Sequence, residues 1–340
     1  YYYKITAYAD LETAPLTGNQ ATLPAGNITS AQNGAWSATT TWTGGVVPTA
    51  TDNVVIAHNV TVDVATASCY NLTINSGKTL NCSGTVGVLT VGSNVVNNGT
   101  LDFYVDASNY ARLTFTSALN NSFTSAASCV TDLNTLTINK GTTKDNILEM
   151  NLSDLTIKGI STATVGFLTL TNGTLKVSGT HTFSGVVFTS AGYTIGATTG
   201  FWLNNPNFTI TGQNGSLTLA GLFRISNGTW NIGTSAGNSV NMSTGATAII
   251  ENGSVNVAGR FAVASSSNVV NFTQSGGTLT VCMVGNTSTS YASFDLGSGA
   301  ATVANLEGGS IVLQLASTAT SGPRDFRGLS TSGVNTNYKG

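Results

Sequence analysis

Charged residues that could carry out chemistry are scarce in this sequence. Of its 340 residues, 8% are charged. Asp102, Asp106 and Asp132, with Arg112 nearby, come closest to the clustered acids and bases that a calcium-dependent polysaccharide lyase uses. Their spacing matches neither an EF-hand loop nor a glycine-rich calcium repeat. We therefore predict that they are solvated loop charges, and we expect no catalytic residue, no cofactor site and no metal site.

A second group of residues has the chemistry to bind sugars. Aromatic side chains gather between residues 193 and 230, and residues 202–207 have the composition of a loop. Tyr and Trp rings on a flat β face stack on sugar rings, while neighbouring amides bond to hydroxyls. Tyr193, Trp202 and Trp230 are thus the candidate glycan-stacking residues. We expect packing in the core or at the end of a coil to be the main role of these aromatics, with glycan stacking as the alternative.

Short strand phrases repeat down the chain and must position these residues. The phrase Asn-Gly-Thr-Leu-x-Val, in close variants, begins at Asn98, Asn172, Asn227 and Asn252. A turn followed by a short strand, repeated without helix signals, is typical of a stacked β-solenoid. Asn-Gly also favours two-residue hairpins, so an antiparallel sandwich or barrel is the alternative. Because the run before Asn-Gly is often polar, we predict an all-β fold, a right-handed parallel β-helix.

A second phrase indicates which side chains face inward. Leu-Thr-Ile recurs at residues 72–74, 136–138 and 155–157, with two apolar side chains on one face and Thr on the other. Inward residues of successive coils would stack at the strand spacing of about 4.8 Å, with Ile138 and Ile157 among them. Coils of about 20 to 25 residues would give on the order of a dozen coils and a body roughly 60 Å long. Asn residues at the corners are expected to stack their amides between coils.

Composition restricts the function further. The chain has 39 Gly, 5 Pro, 41% hydrophobic residues and a formal net charge of -2. This argues against disorder, and it offers no basic surface for nucleic acid. No apolar run reaches the roughly 18 residues of a membrane helix, so membrane insertion is not expected. Six further charged residues are expected to form an exposed insertion: Lys140, Lys144, Asp145, Glu149, Asp154 and Lys158.

Cysteine and histidine offer two further kinds of chemistry. The cysteines are Cys69, Cys82, Cys129 and Cys282. Their spacing matches no zinc site. In an exported protein Cys69 and Cys82 could form a disulfide between neighbouring coils, or all four could fill inward positions as buried thiols. His58 and His181 lack a neighbouring acid or nucleophile motif, which indicates surface or packing roles.

The N-terminal residues resemble a known domain. Residues 1–7 read Y-x-Y-x-I-x-A, a two-faced strand, and residues 19–24 read N-Q-A-T-L-P before a Pro/Gly break. These two runs resemble the last strands of a fibronectin type III domain, with Tyr1 where that family has its tyrosine-corner residue. The resemblance implies that residues 1–26 end such a domain. An independent β-hairpin packed on the solenoid is the alternative.

The next residues have a different pattern. Trp36, Trp42, Pro48 and Asp52 precede a strict alternation of apolar and polar residues from 54 to 62. Large aromatics beside turn residues are typical of a lid over a first coil. The pattern resembles the start of repetitive β-solenoid modules in large surface proteins and adhesins of gliding, type IX-secreting bacteria. We therefore expect a linker and cap at residues 27–64, and a solenoid at residues 65–340 that continues beyond the chain end.

The resemblance implies a function as well as a fold. It suggests a non-enzymatic segment of a secreted, cell-surface multidomain protein that acts as an adhesin shaft or display module. Expected partners are neighbouring domains of the same long chain, surface glycans, and a secretion or outer-membrane anchoring machinery. A pectate-lyase-like enzyme is one alternative, and it would need at least two carboxylates clustered on one face. A carbohydrate-binding module is the other, and it would need an exposed coplanar pair among the three candidate aromatics.

Overall fold

The computed structural model describes residues 26–84, 86–288, 292–297, 299, 302–315 and 325–327, and the backbone of residues 335–338. The predicted fibronectin type III strands at residues 1–26 lie outside the described residues, apart from Gly26. The predicted continuation past Gly340 also lies outside them.

Thirty-one β-strands make up almost all regular structure in the described residues. The first sixteen are β1 (Asn27–Thr29), β2 (Gly34–Ala35), β3 (Asn53–Ile56), β4 (Val60–Val62), β5 (Thr66–Cys69), β6 (Asn71–Ile74), β7 (Thr79–Cys82), β8 (Gly87–Val91), β9 (Val95–Asn97), β10 (Thr100–Asp102), β11 (Ala111–Thr116), β12 (Asn121–Ser125), β13 (Val130–Leu133), β14 (Thr135–Asn139), β15 (Ile147–Leu152) and β16 (Thr156–Ile157). The others are β17 (Leu168–Gly179), β18 (Phe183–Gly185), β19 (Tyr193–Ile195), β20 (Thr199–Ile210), β21 (Leu217–Leu219), β22 (Leu222–Ile232), β23 (Val240–Met242), β24 (Thr247–Ile250), β25 (Ser254–Val257), β26 (Phe261–Val263), β27 (Asn271–Val281), β28 (Phe294–Asp295), β29 (Val303–Leu313), β30 (Phe326–Arg327) and β31 (Asn335–Tyr338).

Every one of these strands pairs in parallel with at least one strand of a neighbouring coil, and most pair with strands of the coils on both sides. One face of the first coils is the sheet β2-β4-β7-β10-β13-β16, and a face of the later coils is β19-β21-β23-β26-β28-β30. The pairings define a parallel β-solenoid of about ten turns. The predicted parallel solenoid is confirmed, and the antiparallel alternative is wrong, because antiparallel contacts among the described residues are limited to two isolated bridges.

The coils differ in length more than the sequence pattern predicts. Val54 pairs with Leu72, 18 positions further on, whereas Phe272 pairs with Ala304, 32 positions further on. Most paired strands keep their register, while loops and local register shifts at the corners absorb the difference. The corner loops are therefore the places where one coil can differ from the next.

Columns of apolar side chains fill the interior, as the Leu-Thr-Ile phrases predict. One column runs from Ala67 through Leu89, Leu113 and Leu136 to Leu168, one residue per coil. All five of these side chains are buried. Side chains in parallel, in-register strands lie directly above one another, so each coil buries its neighbours' apolar surface.

Asparagine ladders join the coils at their edges. Nδ2 of Asn53 donates to Oδ1 of Asn27 at 3.1 Å, Asn71 donates to Asn53 at 2.7 Å, and Asn94 donates to Asn71 at 3.3 Å. Such ladders satisfy amide groups from within the chain. The expectation that corner asparagines stack their amides is confirmed for this set.

The N-terminal coil carries a pair of buried tryptophans. Trp36 and Trp42 meet edge to face with ring centroids 5.0 Å apart, and Nε1 of Trp42 donates to the carbonyl of Trp36 at 2.8 Å. Two 3-10 helices, Thr39–Thr41 and Thr43–Gly45, place Trp42 there, and the second needs the left-handed backbone of Gly44. Since β1 pairs with β3, parallel stacking already includes residues 27–29, so the segment predicted as linker and cap contains strands of the stack itself.

Candidate functional site

The acids singled out in the sequence are only partly brought together. Asp102 and Asp132 are register partners on β10 and β13, and Nζ of Lys158 lies 3.5 Å from Asp132. Asp106 instead belongs to its own turn, where hydrogen bonds from Asn109 and Ser108 lower its pKa. Within the described residues, no three His, Cys, Asp or Glu side chains are grouped so that they could hold a metal ion.

Both histidines contact backbone carbonyls. Nδ1 of His58 lies 2.7 Å from the carbonyl oxygen of Ser30. His181 is buried, its Nδ1 lies 3.0 Å from the carbonyl oxygen of Leu152, and its ring meets Phe208 edge to face. Burial lowers the pKa of His181 and favours the neutral ring. This geometry gives His181 a packing role.

The four cysteines are buried free thiols, the second of the two alternatives that the sequence left open. Burial raises the pKa of Cys69, Cys82 and Cys282, which suppresses the reactive thiolate. These side chains fill the interior as small hydrophobic groups.

The position of Lys140 contradicts the prediction that it belongs to an exposed insertion of six charged residues. Its side chain is 0% exposed, and its Nζ donates to Oδ1 of Asn121. Within the described residues it has no carboxylate partner. Burial lowers its pKa to about 8.

Two of the three candidate glycan-stacking residues belong to an aromatic stack. Trp230 is 0% exposed and stacks on Phe223, with ring centroids 4.4 Å apart. Tyr193 lies parallel to Phe188 at 4.2 Å, and its hydroxyl accepts a hydrogen bond from Nε1 of Trp230 at 3.2 Å. Trp230 faces inward on β22, so of the two roles considered for it the structure shows packing in the core.

Trp202 lies outside the core, but its ring faces are occupied. Nζ of Lys176 lies 4.5 Å from the ring centroid and Cζ of Arg224 lies 3.8 Å from it. Both cations belong to register partners of Trp202 on the adjacent coils. Trp202 is held between two cations and has no free face for a sugar ring.

Two glutamates neutralise these cations. Nζ of Lys176 lies 2.8 Å from Oε1 of Glu149, and Nη2 of Arg224 lies 2.6 Å from Oε1 of Glu251. The hydrogen bond from Lys176 is the largest influence that lowers the pKa of Glu149. We call the set Glu149, Lys176, Trp202, Arg224 and Glu251 the Trp202 row. Its aromatic and charged groups satisfy one another.

A second surface has similar residue types in a different arrangement. Ten residues connect β16 to β17 and eight connect β10 to β11, but Asn134 alone connects β13 to β14 on the coil between them. The two long loops thus flank a short corner. Together they enclose a groove of about 430 Å³, which we call the corner groove.

Both walls of the corner groove are held in place by hydrogen bonds. In the first wall, Tyr104 and Tyr110 form an antiparallel bridge. In the second, Oγ of Ser161 donates to the carbonyl of Phe188 at 2.8 Å, and the carbonyl of Thr162 accepts from the amide of Ser190 at 2.7 Å. The groove is therefore preformed.

The floor of the corner groove is polar. Thr135, Thr137 and Thr169 lie there, and Oγ1 of Thr135 is buried without a hydrogen-bond partner. Arg112 is exposed at the first wall, with its guanidinium 5.8 Å from the ring centroid of Tyr110. Ile160, 72% exposed, lies on the second wall.

Of the residues that line the corner groove, the sequence pattern singled out Arg112 alone. The signal that was present is the contrast between two long strand-to-strand connections and the single residue between two strand phrases at Leu133 and Thr135. That contrast can be interpreted only when the coil boundaries are known.

Comparison with known proteins identifies no relative, since no family model, curated protein or solved structure matches this chain. In the described part of the chain, no helix is long and apolar enough to span a bilayer. Function is therefore inferred from the coils and their surfaces.

Proposed function

We propose that this chain is a rigid, non-enzymatic segment of a secreted cell-surface protein and serves as an adhesin shaft or display module. The observation that supports it most is the continuous stack of parallel coils. About ten turns at roughly 4.8 Å each give a body about 50 Å long. A body of this kind holds whatever is attached to its two ends at a fixed separation.

The interior chemistry supports a structural role. Each coil contacts mainly its neighbours, through apolar columns and amide ladders that repeat from coil to coil. A right-handed path is the expected sense of coiling, because right-handed crossovers are strongly favoured between parallel strands. The partners in this proposal are the neighbouring domains of one long chain and the machinery that secretes and anchors it.

The surface chemistry favours the shaft over an enzyme. Asp102 and Asp132 are adjacent, but Lys158 pairs with Asp132. Glycosidic cleavage needs an acid, a base and groups that stabilise developing charge around one bond. The Trp202 row joins acids to cations across coils and thereby adds to the cohesion of the stack.

Excision of whole coils tests the shaft directly. Phe201, Phe223, Ala248 and Phe272 are successive register partners, so deletion of residues 202–272 removes three coils and restores the stacking order at the junction. The shortened protein should fold, and small-angle X-ray scattering should show a maximum dimension about 15 Å smaller. An unchanged dimension would contradict the shaft.

Location and activity are tested separately. Antibodies against the chain should label the surface of intact source cells, and external protease should remove the label. The purified chain should release no unsaturated products from polygalacturonate with or without calcium. Product release that Asp102→Ala or Asp132→Ala abolishes would replace the shaft by the lyase alternative.

A further inference from the structure

We infer that the corner groove binds an extended saccharide chain that carries acidic sugars. This site goes beyond the shaft function, because a shaft needs only its stack of coils. The groove crosses the solenoid at one level, along the direction of β14, between the connections β10–β11 and β16–β17.

The width of the groove suits one sugar chain. Its walls come from two coils separated by a single intervening coil, so the backbones from which they rise are on the order of 10 Å apart. A pyranose ring fits such a gap, with its faces towards the two walls. The Tyr104–Tyr110 bridge holds the first wall, and the bond from Ser161 to the carbonyl of Phe188 ties the second wall to the next coil, so both walls are ordered before a ligand arrives, which lowers the entropy cost of binding.

The lining has the mixture of groups that sugars require. Tyr104 and Tyr110 supply rings on one wall, and Ile160 and Val165 supply exposed apolar surface on the other. Sugar rings present apolar C–H faces to such groups. The threonine hydroxyls of the floor can donate to and accept from sugar hydroxyls.

Charge selects acidic sugars over neutral ones. Arg112 is the single charged residue among the described residues that line the groove, and it has no salt bridge within the described part of the chain. Its planar guanidinium matches a carboxylate in a bidentate geometry. Asp106 lies on the same loop, but its carboxylate accepts hydrogen bonds from Ser108 and Asn109 in its own turn. A uronate is thus better matched to the groove than a neutral hexose.

Calorimetric titration of the complete 340-residue chain tests this inference. The probes are oligogalacturonate of four to six sugars and the same oligomer with its carboxylates methyl-esterified. We expect saturable binding of the acid form and at least roughly tenfold weaker binding of the ester, because the ester lacks the charge that Arg112 recognises. Arg112→Gln should weaken binding of the acid form by about the same factor.

Matched variants separate the groove from general electrostatics. Lys78→Gln removes one positive charge on a different corner, between β6 and β7, and should leave the affinity unchanged. Thr137→Val removes a floor hydroxyl at nearly constant volume and should weaken binding of both probes by a few fold. Circular dichroism melting of each variant shows that the fold is retained.

Three results would overturn the inference. They are the absence of binding by either probe, equal affinity for acid and ester, and an Arg112→Gln variant that binds as the unmodified chain does. Each is distinct from failure of the shaft proposal, which scattering measurements on the same protein assess independently.

Discussion

The Trp202 row and the corner groove use similar residues to opposite effect. Both present aromatic rings and an arginine on the outside of the solenoid. In the row, Trp202 lies between Lys176 and Arg224, and glutamates pair with both cations. In the groove, Arg112 is exposed and pairs with no carboxylate in the described part of the chain; its Nη2 donates to the hydroxyl of Tyr110 at 3.5 Å. The same chemistry is internally satisfied in one region and available to a ligand in the other.

Position relative to the stacking direction accounts for the difference. Four members of the row lie on paired strands and Glu251 directly follows β24, which pairs with β22, so the coil spacing brings complementary groups into contact. The groove is built on loops that leave the ladder. Its walls rise from coils that are not adjacent, and the short corner at Asn134 keeps them apart. Where coils stack regularly, neighbouring side chains satisfy one another. Loops that leave the stack keep side chains available to bind a ligand.

The comparison requires that the groove floor and the core lie on opposite faces of β14. The substitution Ile138→Asp tests this, and it has the largest expected effect on stability. Ile138 is 0% exposed in a column with Phe115. An unpaired carboxylate there should lower the free energy of unfolding by more than about 3 kcal/mol.

Thr137→Asp is the matched control, since Thr137 is one position away and faces outward. It should cost less than roughly 1 kcal/mol. Urea denaturation measures both variants. Equal losses would mean that the two faces of β14 are not distinguished as described.

A buried cation without a carboxylate sharpens the contrast with the paired cations of the row. Burial lowers the pKa of Lys140 from 10.5 to about 8. Below pH 8 the lysine is charged in both states, and the folded state bears the cost of burying that charge. Lys140→Met should therefore raise the free energy of unfolding by roughly 1 to 3 kcal/mol at pH 7.

This gain has a defined pH dependence. Between pH 8 and 10.5 the unfolded chain binds more protons at Lys140 than the folded chain, so the unmodified protein gains stability as pH rises. The advantage of Lys140→Met should shrink across this window and level off above it. Denaturation at pH 7, 9 and 10.5 measures the trend. A gain that is constant with pH would show that Lys140 is not the titrating group.

Removing one charge from each region tests whether charged side chains are paired within the protein in the Trp202 row and unpaired with carboxylates in the corner groove. Burial alone would raise the pKa of Glu251, but hydrogen bonds from Arg224 and Ser226 outweigh burial and lower it. Glu251→Gln should cost about 1 kcal/mol, a value already reduced for partial exposure. Arg112→Gln should change stability by less than roughly 0.5 kcal/mol. Thermal melts at pH 7 compare them, and a greater loss for Arg112→Gln would reverse the comparison.

The smallest expected effect is that of Trp202→Ala on saccharide binding. Because cations cover both faces of Trp202, its removal should leave the affinity for oligogalacturonate unchanged while lowering the melting temperature. A weakened affinity with an intact groove would place the sugar site at the row instead.

Much of the fold was predictable because its signals are local. Strand phrases with two inward apolar residues and turn-forming Asn-Gly pairs indicate a stack of short strands, and Leu136 and Ile138 point inward as predicted. Trp230 shows what such local signals do not determine. β20 and β22 each pass a corner with irregular register, so alternation counted from one end gives the wrong face beyond it.

The sequence by itself determined the class of fold, the inward columns and the sparse charge of the surface, since each depends on neighbours within a few positions. Only the tertiary structure decided which outward side chains meet. Lys176 and Trp202 are 26 positions apart, whereas Trp202 and Arg224 are 22 apart. Register is set by hydrogen bonding between strands. Because the corner loops vary in length, the number of residues between partners on adjacent coils is not constant and cannot be predicted along the chain. The corner groove depends on two such loops, which come together only because the coil between them turns at a single residue.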